Sequence, residues 1–387
     1  MGLLIQQSSV RHVFVVLVIL TLAVITLSTG FLRSIRPKIG EQSQTNLQPD
    51  PQPKLQTNFQ PQVLPNSIIL YNRIPKTGST TLANIFNGLT TKNKFWAVNI
   101  NSSYPSGSFG NAAVWPAGEQ REFLMNITTS KTYKKAIYHG HFGFISPERW
   151  QVPNANQITY INLIRNPLDR LSSYYYFVRN GDNFRKGLKR GHAADKHRSI
   201  NECVAETLGD TPEKKSNRKF NEDCSVKTVW KQVPMFCGQF IRCNDSASRE
   251  WAYNQAVQNL YKRYSVVGYT EKYFQFIELL EDTFPSFFEK SVKFIEDSGG
   301  LEELSLRQTN YPEGSDFKPN ELTINLLEKT EEFMYEKRFY ELVKSEFDEA
   351  YSKAFDEKFG KVRSSRVNYN KIYGPDGRFK GKYRPYD

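Results

Sequence analysis

The sequence predicts an α/β domain with a mainly parallel sheet, because strand-like and helix-like segments alternate along it. Apolar, strand-like runs occur at 67–71, 135–138 and 158–164. Helix-like sequence follows the first and the third of these runs, at 79–89 and 168–178. This alternation is typical of parallel sheets covered by helices. Ligands of such sheets bind beyond the carboxyl ends of the strands, so the residues that follow each strand are site candidates.

The first strand leads into the segment Tyr71–Thr81, which reads YNRIPKTGSTT. A strand that turns into a helix here offers backbone N–H groups, hydroxyls and the ammonium of Lys76 to a phosphate. The segment is not a Walker A loop, because GxxxxGK[ST] places the lysine after the glycines and here it comes first. An ordinary turn between a strand and a helix is the alternative interpretation.

Two of the five histidines follow the second strand, in Tyr138-His139-Gly140-His141-Phe142. An imidazole accepts a proton near neutral pH, so the pair is a candidate general base for a reaction at a hydroxyl group. A metal-binding His-x-His pair and histidines with structural hydrogen bonds are the alternatives.

The third strand ends at Arg165, and Pro167 is suited to begin the following helix. Ser173 comes about two helical turns after Arg165. An arginine and a hydroxyl placed in this way can hold a second phosphate through charge-assisted hydrogen bonds. Arg165 alone would more simply be an ion pair at a helix start. Together with Lys76, these residues predict a site for a nucleotide phosphorylated at both its 5′ and 3′ positions.

The composition favours an anionic partner. The 387 residues include 52 Lys+Arg against 40 Asp+Glu, a net charge of +12. Such an excess attracts nucleic acid, acidic lipid or acidic polysaccharide. A basic stretch at 179–190 follows the third predicted site segment. Basic stretches are usually solvated surfaces, but beside a nucleotide site this one is well placed to hold a polyanionic acceptor.

An uncharged apolar run at 13–27 continues to about residue 32 and approaches the ~20 residues that cross a bilayer. We predict a cytoplasmic tail at 1–12 and a membrane anchor at 13–32. A cleaved signal peptide and a buried core helix are the alternatives. The positive charges lie mostly after the run, at Arg33, Arg36 and Lys38, so the charge bias does not favour a luminal carboxyl-terminal part.

Two other features favour a luminal position for most of the chain. An even number of cysteines suits two disulfides, and their spacing lacks the CxxC pairs of zinc sites; they are Cys203, Cys224, Cys237 and Cys243. Three N-glycosylation acceptors occur, at Asn101, Asn126 and Asn244. We therefore predict a type II membrane protein.

The remaining boundaries follow from composition. Residues 33–66 are rich in Gln, Pro and Asn and predict an unfolded stem. The luminal domain is predicted at 67–362, with a helical pattern from 251 to 359. A basic, tyrosine-rich tail is predicted at 363–387, partly in contact with substrate.

These motifs, taken in order, resemble the heparan sulfate 2-O-sulfotransferase family. The resemblance runs from about residue 67 to residue 373. It rests on Arg-x-Pro-Lys-Thr-x-Ser-Thr at 73–80, Tyr-His-Gly-His at 138–141, Tyr-Ile-Asn-x-Ile-Arg-x-Pro at 160–167, Pro-x-Phe-Cys-Gly at 234–238 and Tyr-x-Lys-Ile-Tyr at 369–373. The related uronyl 2-O-sulfotransferase of chondroitin and dermatan sulfate is the nearest alternative.

The resemblance implies a P-loop-kinase-like sulfotransferase fold. The implied reaction is in-line transfer of sulfate from PAPS (3′-phosphoadenosine 5′-phosphosulfate) to the 2-hydroxyl of hexuronate, iduronate or glucuronate, in heparan sulfate. No metal is required. A Golgi membrane location, a homotrimer and the absence of a nucleic-acid partner are implied in the same way.

The resemblance also implies roles for individual residues. The 5′-phosphosulfate would be held by Lys76, Thr77, Gly78, Ser79 and Thr80. The 3′-phosphate would be held by Arg165 and Ser173, and a later loop with Arg307 and Thr309 would close over the nucleotide. His141 would be the base, assisted by His139, and Lys76 would also stabilise the departing phosphate. The sulfated chain would contact Arg73, Asn84, Arg185, Arg190 and Lys371.

The implied disulfides are Cys203–Cys224 and Cys237–Cys243. Three positions depart from the family pattern. Asn99 replaces a histidine near the uronate, which leaves the choice between iduronate and glucuronate open, and Asn87 replaces an aromatic residue nearby. Pro312 replaces a lysine after the later loop.

Two other functions are compatible with parts of the sequence. A nucleotide kinase would need a lysine-last phosphate loop and an acidic magnesium ligand, and neither is found. A catalytically inactive heparin-binding protein fits the composition, but it would have no need for Lys76, Arg165 and His141 together.

Overall fold

The computed structural model describes residues 68–100, 114–184, 190–209, 221–305, 308–312 and 317–357. The strands within these ranges are β1 (Ile68–Asn72), β2 (Trp96–Asn99), β3 (Ala136–Gly140), β4 (Ile158–Ile164) and β5 (Tyr264–Tyr269). They form a single sheet in the order β2-β3-β1-β4-β5, and every neighbouring pair is parallel. The predicted parallel sheet is therefore confirmed.

α-Helices follow every strand except β3, which is joined to β4 through two short 3₁₀ helices. Those before β4 are α1 (Ser79–Asn93) and α2 (Ala117–Thr129). Those between β4 and β5 are α3 (Pro167–Asn180), α4 (Ile200–Leu208), α5 (Val226–Val229), α6 (Gln232–Cys237) and α7 (Arg249–Arg263). Those after β5 are α8 (Tyr273–Thr283), α9 (Pro285–Phe288), α10 (Ser291–Asp297), α11 (Leu301–Leu304), α12 (Glu321–Glu328) and α13 (Glu331–Ser352), which continues into a π-helical turn at Lys353–Glu357.

The centre of the sheet is β1. Every residue of β1 and of its neighbour β3 is buried, as expected for a parallel sheet covered on both faces. The chain leaves β1 towards β2 on one side, whereas it leaves β4 towards β5 on the other side. A crevice for a ligand is expected at the carboxyl ends of strands whose connections diverge in this way.

Strand β4 occupies the predicted residues, but two other expectations are corrected. The second strand was expected to end at Tyr138, whereas β3 continues to Gly140 because His139 still pairs with Tyr71 of β1. The helical pattern expected from 251 to 359 is interrupted by β5, which completes the sheet beside β4. Strand β2 was not predicted, since it is short and only half-buried.

The carboxyl-terminal part of the helical pattern predicted at 251–359 is divided into α12 and α13. Thr330 lies between them, and its hydroxyl accepts a hydrogen bond from the N–H of Phe333. A threonine in extended conformation at this position begins a new helix, because its side chain replaces a missing backbone partner.

Both implied disulfides are present, Cys203–Cys224 and Cys237–Cys243. The first lies in a second, smaller hydrophobic core that Leu171 and Tyr175 of α3 share with Ile200 of α4. The described residues contain no free cysteine.

No helix in the described ranges is both long and apolar enough to cross a membrane. The predicted cytoplasmic tail, anchor and stem at 1–66, and the predicted tail at 363–387, lie outside the described residues.

The buried side chain of Asn72 connects the central strands at the point where β1 ends. Its amide nitrogen donates to the carbonyl of Met235 on α6 at 3.1 Å. Its side-chain oxygen accepts from the amide of Asn162 on β4 at 2.9 Å and from the hydroxyl of Tyr264 on β5 at 3.0 Å. The amide of Asn162 also donates to the Asn72 carbonyl at 2.9 Å. One side chain thus joins three strands and a helix.

We expect Asn72→Leu to lower the free energy of unfolding by about 3 kcal/mol, because it leaves buried partners on β4, β5 and α6 without their hydrogen bonds. Tyr264→Phe is the matched control, since it removes one bond from the same group and is expected to cost about 1 kcal/mol. Urea denaturation of both variants measures the difference. Equal losses would contradict the role of Asn72 as the shared partner.

Candidate functional site

Residues from three neighbouring strand ends meet at the centre of the sheet. The register places Tyr71 beside His139 and Asn72 beside Gly140, so the loops that follow β1 and β3 leave the sheet at the same level. The N–H of Arg73 extends this pairing, with a 2.7 Å hydrogen bond to the carbonyl of Gly140. Strand β4 lies on the other side of β1 and delivers Arg165 to the same edge.

The loop after β1 holds Lys76 and Gly78 in left-handed backbone conformations, with φ of 68° and 71°. The hydroxyl of the buried Thr77 donates to the carbonyl of Ile74 at 2.9 Å and closes the loop on itself. Tyr273 covers the loop, and a Cβ atom at Gly78 would lie 2.9 Å from its ring. Glycine is therefore required here both by conformation and by space.

Helix α1 begins directly after Gly78. Among the described residues, no side chain caps its first turn, and that turn contains no acidic residue. The first N–H groups of a helix have no partner within the helix and carry partial positive charge. With the ammonium of Lys76 and the hydroxyls of Ser79 and Thr80 beside them, they form a set of donors suited to an anion.

His141 is oriented by the loop after β1. Its Nδ1 lies 2.8 Å from the carbonyl oxygen of Arg73. A carbonyl can only accept, so Nδ1 carries the hydrogen and Nε2 is the nitrogen that can take up a proton. Burial lowers the pKa of His141 to about 4, and the charges of Arg73 and Lys231 act in the same direction. The imidazole is therefore neutral, and able to accept a proton, at neutral pH.

His139 lies within β3 and is 3% exposed. Its ring meets the ring of Phe86 edge to face, with the centroids 5.9 Å apart. Burial lowers the pKa of His139 to about 4, with further lowering by Arg73 and His141. The two histidines thus sit in one positively charged environment.

Arg165 contacts the lysine loop directly, because its guanidinium donates to the carbonyl of Lys76 at 3.3 Å. Eight residues later, the hydroxyl of Ser173 lies 3.0 Å from the hydroxyl of Thr309. The segment 308–312 reaches this position by pairing with the end of α3, through the bridge between Asp182 and Thr309. The fold thus brings together Ser173 and Thr309, which are 136 residues apart in the sequence.

Phe177 was not predicted as a site residue, although it follows Ser173 by four residues and so shares its helix face. The ammonium of Lys76 lies 4.0 Å from the centre of the Phe177 ring, and the guanidinium of Arg190 lies 4.7 Å from it. Arg190 also pairs with Asp182 at 3.4 Å. The ring of Phe177 thus contacts two cations, as cation–π interactions allow.

A cavity of about 240 Å³ adjoins His139. It is lined by Arg73, Thr80, Ala83, Asn84, Asn87, Ala97, Asn99 and His139. The predicted acceptor residues Arg73 and Asn84 are thus brought together with Asn87 and Asn99, two of the three departures from the family pattern. Arg73 donates to Thr80 at 3.2 Å, and Asn84 donates to the carbonyl of Leu304 at 2.9 Å.

Four predicted residues lie outside the described ranges, and two predicted glycosylation acceptors lie within them. Arg185, Arg307, Lys371 and Asn101 lie outside the described residues. Asn126 is exposed on α2, and Asn244 lies in a short 3₁₀ helix beside Cys243. Within the described ranges, no three His, Cys, Asp or Glu side chains are grouped closely enough to hold a metal ion.

Comparison with known proteins places this site in a family. The model of the "Sulfotransferase family" matches residues 62–304. "Heparin sulfate O-sulfotransferase" of Drosophila melanogaster is 36% identical over 281 residues, which cover 73% of this chain and 72% of that protein.

Two further relatives have similar identity. "Heparan sulfate 2-O-sulfotransferase 1" of Homo sapiens is 35% identical over 308 residues, 79% of this chain and 78% of that protein. "Heparan sulfate 2-O-sulfotransferase hst-2" of Caenorhabditis elegans is 36% identical over 304 residues, 78% of this chain and 85% of that protein. The chain is therefore a sulfotransferase and belongs to the heparan sulfate 2-O-sulfotransferase family.

Proposed function

We propose that this protein transfers sulfate from PAPS to the 2-hydroxyl of a hexuronate in heparan sulfate, with His141 as the general base. The observation that carries the proposal is the convergence of Lys76, Arg165 and His141. Arg165 contacts the carbonyl of Lys76 at 3.3 Å, and His141 contacts the carbonyl of Arg73 in the same loop at 2.8 Å. The strand order β2-β3-β1-β4-β5 also supports a P-loop-kinase-like fold.

The donors at this edge of the sheet fit a nucleotide with two phosphate-bearing ends. One group comprises the ammonium of Lys76 and the N–H and hydroxyl groups of the 77–80 segment, and it suits the 5′-phosphosulfate. Arg165 and Ser173 form a second group for the 3′-phosphate, with Thr309 beside Ser173 at 3.0 Å. When bound, PAPS supplies the sulfuryl group. No metal is needed, because cations and hydrogen-bond donors provide the charge stabilisation.

Two side chains would act on the reacting groups. Nε2 of His141 takes the proton of the 2-hydroxyl, so the sugar oxygen gains the electron pair with which it forms a bond to sulfur. Lys76 neutralises the negative charge on the phosphate oxygen that leaves sulfur. His139 lines the adjoining cavity and assists by orienting the acceptor.

The cavity lined by His139 is our candidate for the hexuronate site. Arg73 suits a sugar carboxylate, and the amides of Asn84, Asn87 and Asn99 suit sugar hydroxyls. Arg190, held over Phe177, is proposed to bind the sulfated chain further along. The names of the relatives and the net charge of +12 support an anionic polysaccharide rather than nucleic acid as the acceptor.

We further propose a Golgi membrane location with the catalytic domain in the lumen. The two disulfides support it, because they persist in oxidising compartments. The membrane anchor at 13–32 is proposed from its uncharged apolar run, and assembly as a trimer is proposed from the family resemblance.

An acceptor panel tests the function. The full-length protein is incubated with labelled PAPS and with desulfated heparin, chondroitin or dermatan. We expect label mainly in the desulfated heparin, at the 2-position of uronate after positional analysis. Transfer mainly to dermatan or chondroitin would indicate the uronyl alternative, and binding to heparin without transfer would indicate an inactive heparin-binding protein.

His141→Ala is expected to lower kcat by about a thousandfold, because it removes the proton acceptor. Binding of adenosine 3′,5′-bisphosphate should remain close to that of the wild type, since His141 is not among the proposed phosphate ligands. Calorimetry and sulfotransfer assays measure the two effects. The exposed His197→Ala is the control and should leave both unchanged. Loss of nucleotide binding in His141→Ala would instead indicate a structural histidine.

The pH profile provides an independent test. His141 must be neutral to act, and its pKa is lowered from 6.5 to about 4. Activity should therefore be lost as the pH falls through about 4, and the contribution of this group should be nearly flat between about pH 5 and pH 8. Arg73→Gln should move the acid limb of kcat/KM upwards, because it removes a positive charge that lowers this pKa. An acid limb near pH 6.5 in the wild type would contradict the shielded environment of His141.

A further inference from the structure

A buried carboxylate on the last long helix is hydrogen-bonded to the backbone behind the nucleotide site. Glu336 of α13 is fully buried. Its Oε1 accepts hydrogen bonds from the N–H of Lys231 at 2.7 Å and from the N–H of Val233 at 2.9 Å. These two hydrogen bonds fix the backbone on both sides of Gln232, which lies between Lys231 and Val233 in the sequence. Because Glu336 lies beyond residues 62–304, the matched family region does not include it.

Arg170 holds the same segment from the other side. Its guanidinium is buried and donates to the carbonyls of Thr228 and Val229. Burial raises the pKa of Glu336, whereas Arg170 and the two N–H groups oppose that rise. The backbone from 228 to 233 is thus bonded to a cation at its carbonyls and to a carboxyl group at its N–H groups.

The side chain of Gln232 transfers this fixed position to Arg165. Gln232 is fully buried, and its amide nitrogen donates to the Arg165 carbonyl at 3.0 Å. Its amide oxygen accepts from the Arg165 N–H at 2.9 Å. Strand β4 ends at Ile164, so Arg165 bonds with both backbone groups to a side chain instead of a strand. Arg165 in turn donates to the carbonyl of Lys76.

We propose that Glu336 and Gln232 are positioning residues that fix Arg165 for the 3′-phosphate of the donor nucleotide. Glu336 and Gln232 would not contact the nucleotide themselves, and both would act through the backbone of Arg165. The inference rests on the proposed function, because it assigns Arg165 to that phosphate. Selectivity for the 3′-phosphate then depends on α13, a helix far along the sequence from the loops that would bind the nucleotide.

The test compares two probes that differ by the 3′-phosphate, adenosine 3′,5′-bisphosphate and adenosine 5′-monophosphate. Their dissociation constants are measured by calorimetry on the full-length protein. Gln232→Met keeps the side-chain length and removes both bonds to Arg165. We expect it to reduce the preference for the bisphosphate about tenfold. The KM for PAPS should rise by a similar factor while kcat stays within about twofold.

Glu336 is tested by a pair of variants. Glu336→Gln retains an oxygen acceptor for the two N–H groups and should keep most of the preference. Glu336→Leu retains none and should lose it to the same extent as Gln232→Met. Equal effects of the two Glu336 variants would contradict the role of the acceptor.

The matched control is Asn259, which holds the other end of the same helix, α6. Its amide donates to the carbonyls of Phe236 and Cys237 at 2.8 and 3.0 Å. Asn259→Leu removes these two hydrogen bonds to α6 and one from the amide of Gln255, but none to Arg165. It should lower the unfolding temperature similarly and leave the nucleotide preference unchanged. A similar loss of preference in Asn259→Leu would show that any disturbance of α6 has this effect, and would overturn the proposal.

The background of Arg165→Ala separates positioning from general damage. With the guanidinium absent, adding Gln232→Met should change the preference no further, whereas an additional loss would contradict the proposal. A preference that persists in Gln232→Met alone overturns the positioning role and leaves the donor assignment intact. A wild-type protein without any preference overturns the donor assignment, and the positioning role with it.

Discussion

The hydrogen bonds of Asn72 hold together the strands on which the site depends. A parallel sheet aligns the carboxyl ends of its strands, but the usefulness of that edge depends on register. Asn72 joins β1 to β4 and β5 through its side-chain oxygen and to α6 through its amide nitrogen. A slip of one residue between these strands would turn neighbouring side chains to the opposite face of the sheet. The lysine loop and Arg165 would then no longer face the same crevice.

Positively charged side chains are close together at this site, although the first turn of α1 contains no acidic residue. Lys76 and Arg190 both contact the ring of Phe177, which attracts cations without neutralising them, and Arg190 is also paired with Asp182. Burial lowers the pKa of His139 and His141, and the positive charge of Arg73 lowers both further, so both imidazoles are neutral at neutral pH. The groups that we propose to bind phosphate thus lie beside an imidazole that is unprotonated at neutral pH, as the proposed base must be.

The parts of the site that follow strands could be predicted from sequence, because a strand, a turn and a helix leave a local pattern. Lys76, His141 and Arg165 are predicted in this way, and the structure places them at one edge of the sheet. Phe177 could have been found by its spacing from Ser173. Gln232 could not, because its partner Arg165 lies 67 residues earlier and their contact is formed only in the folded chain. Strand β5 was missed because helices precede and follow it, whereas its pairing with β4 depends on tertiary structure.

Helix α13 is far along the sequence from the motifs, yet hydrogen bonds connect it to Arg165. Glu336 accepts hydrogen bonds from Lys231 and Val233, and Gln232 between them holds the backbone of Arg165. A phosphate ligand bound by a flexible arginine would have to order that side chain on binding, at a cost in conformational entropy. Fixing the backbone before the ligand arrives reduces this cost, because fewer arginine conformations remain to be excluded. In the proposed arrangement, α13 therefore contributes to nucleotide affinity through order rather than contact, although it lies beyond the matched residues 62–304.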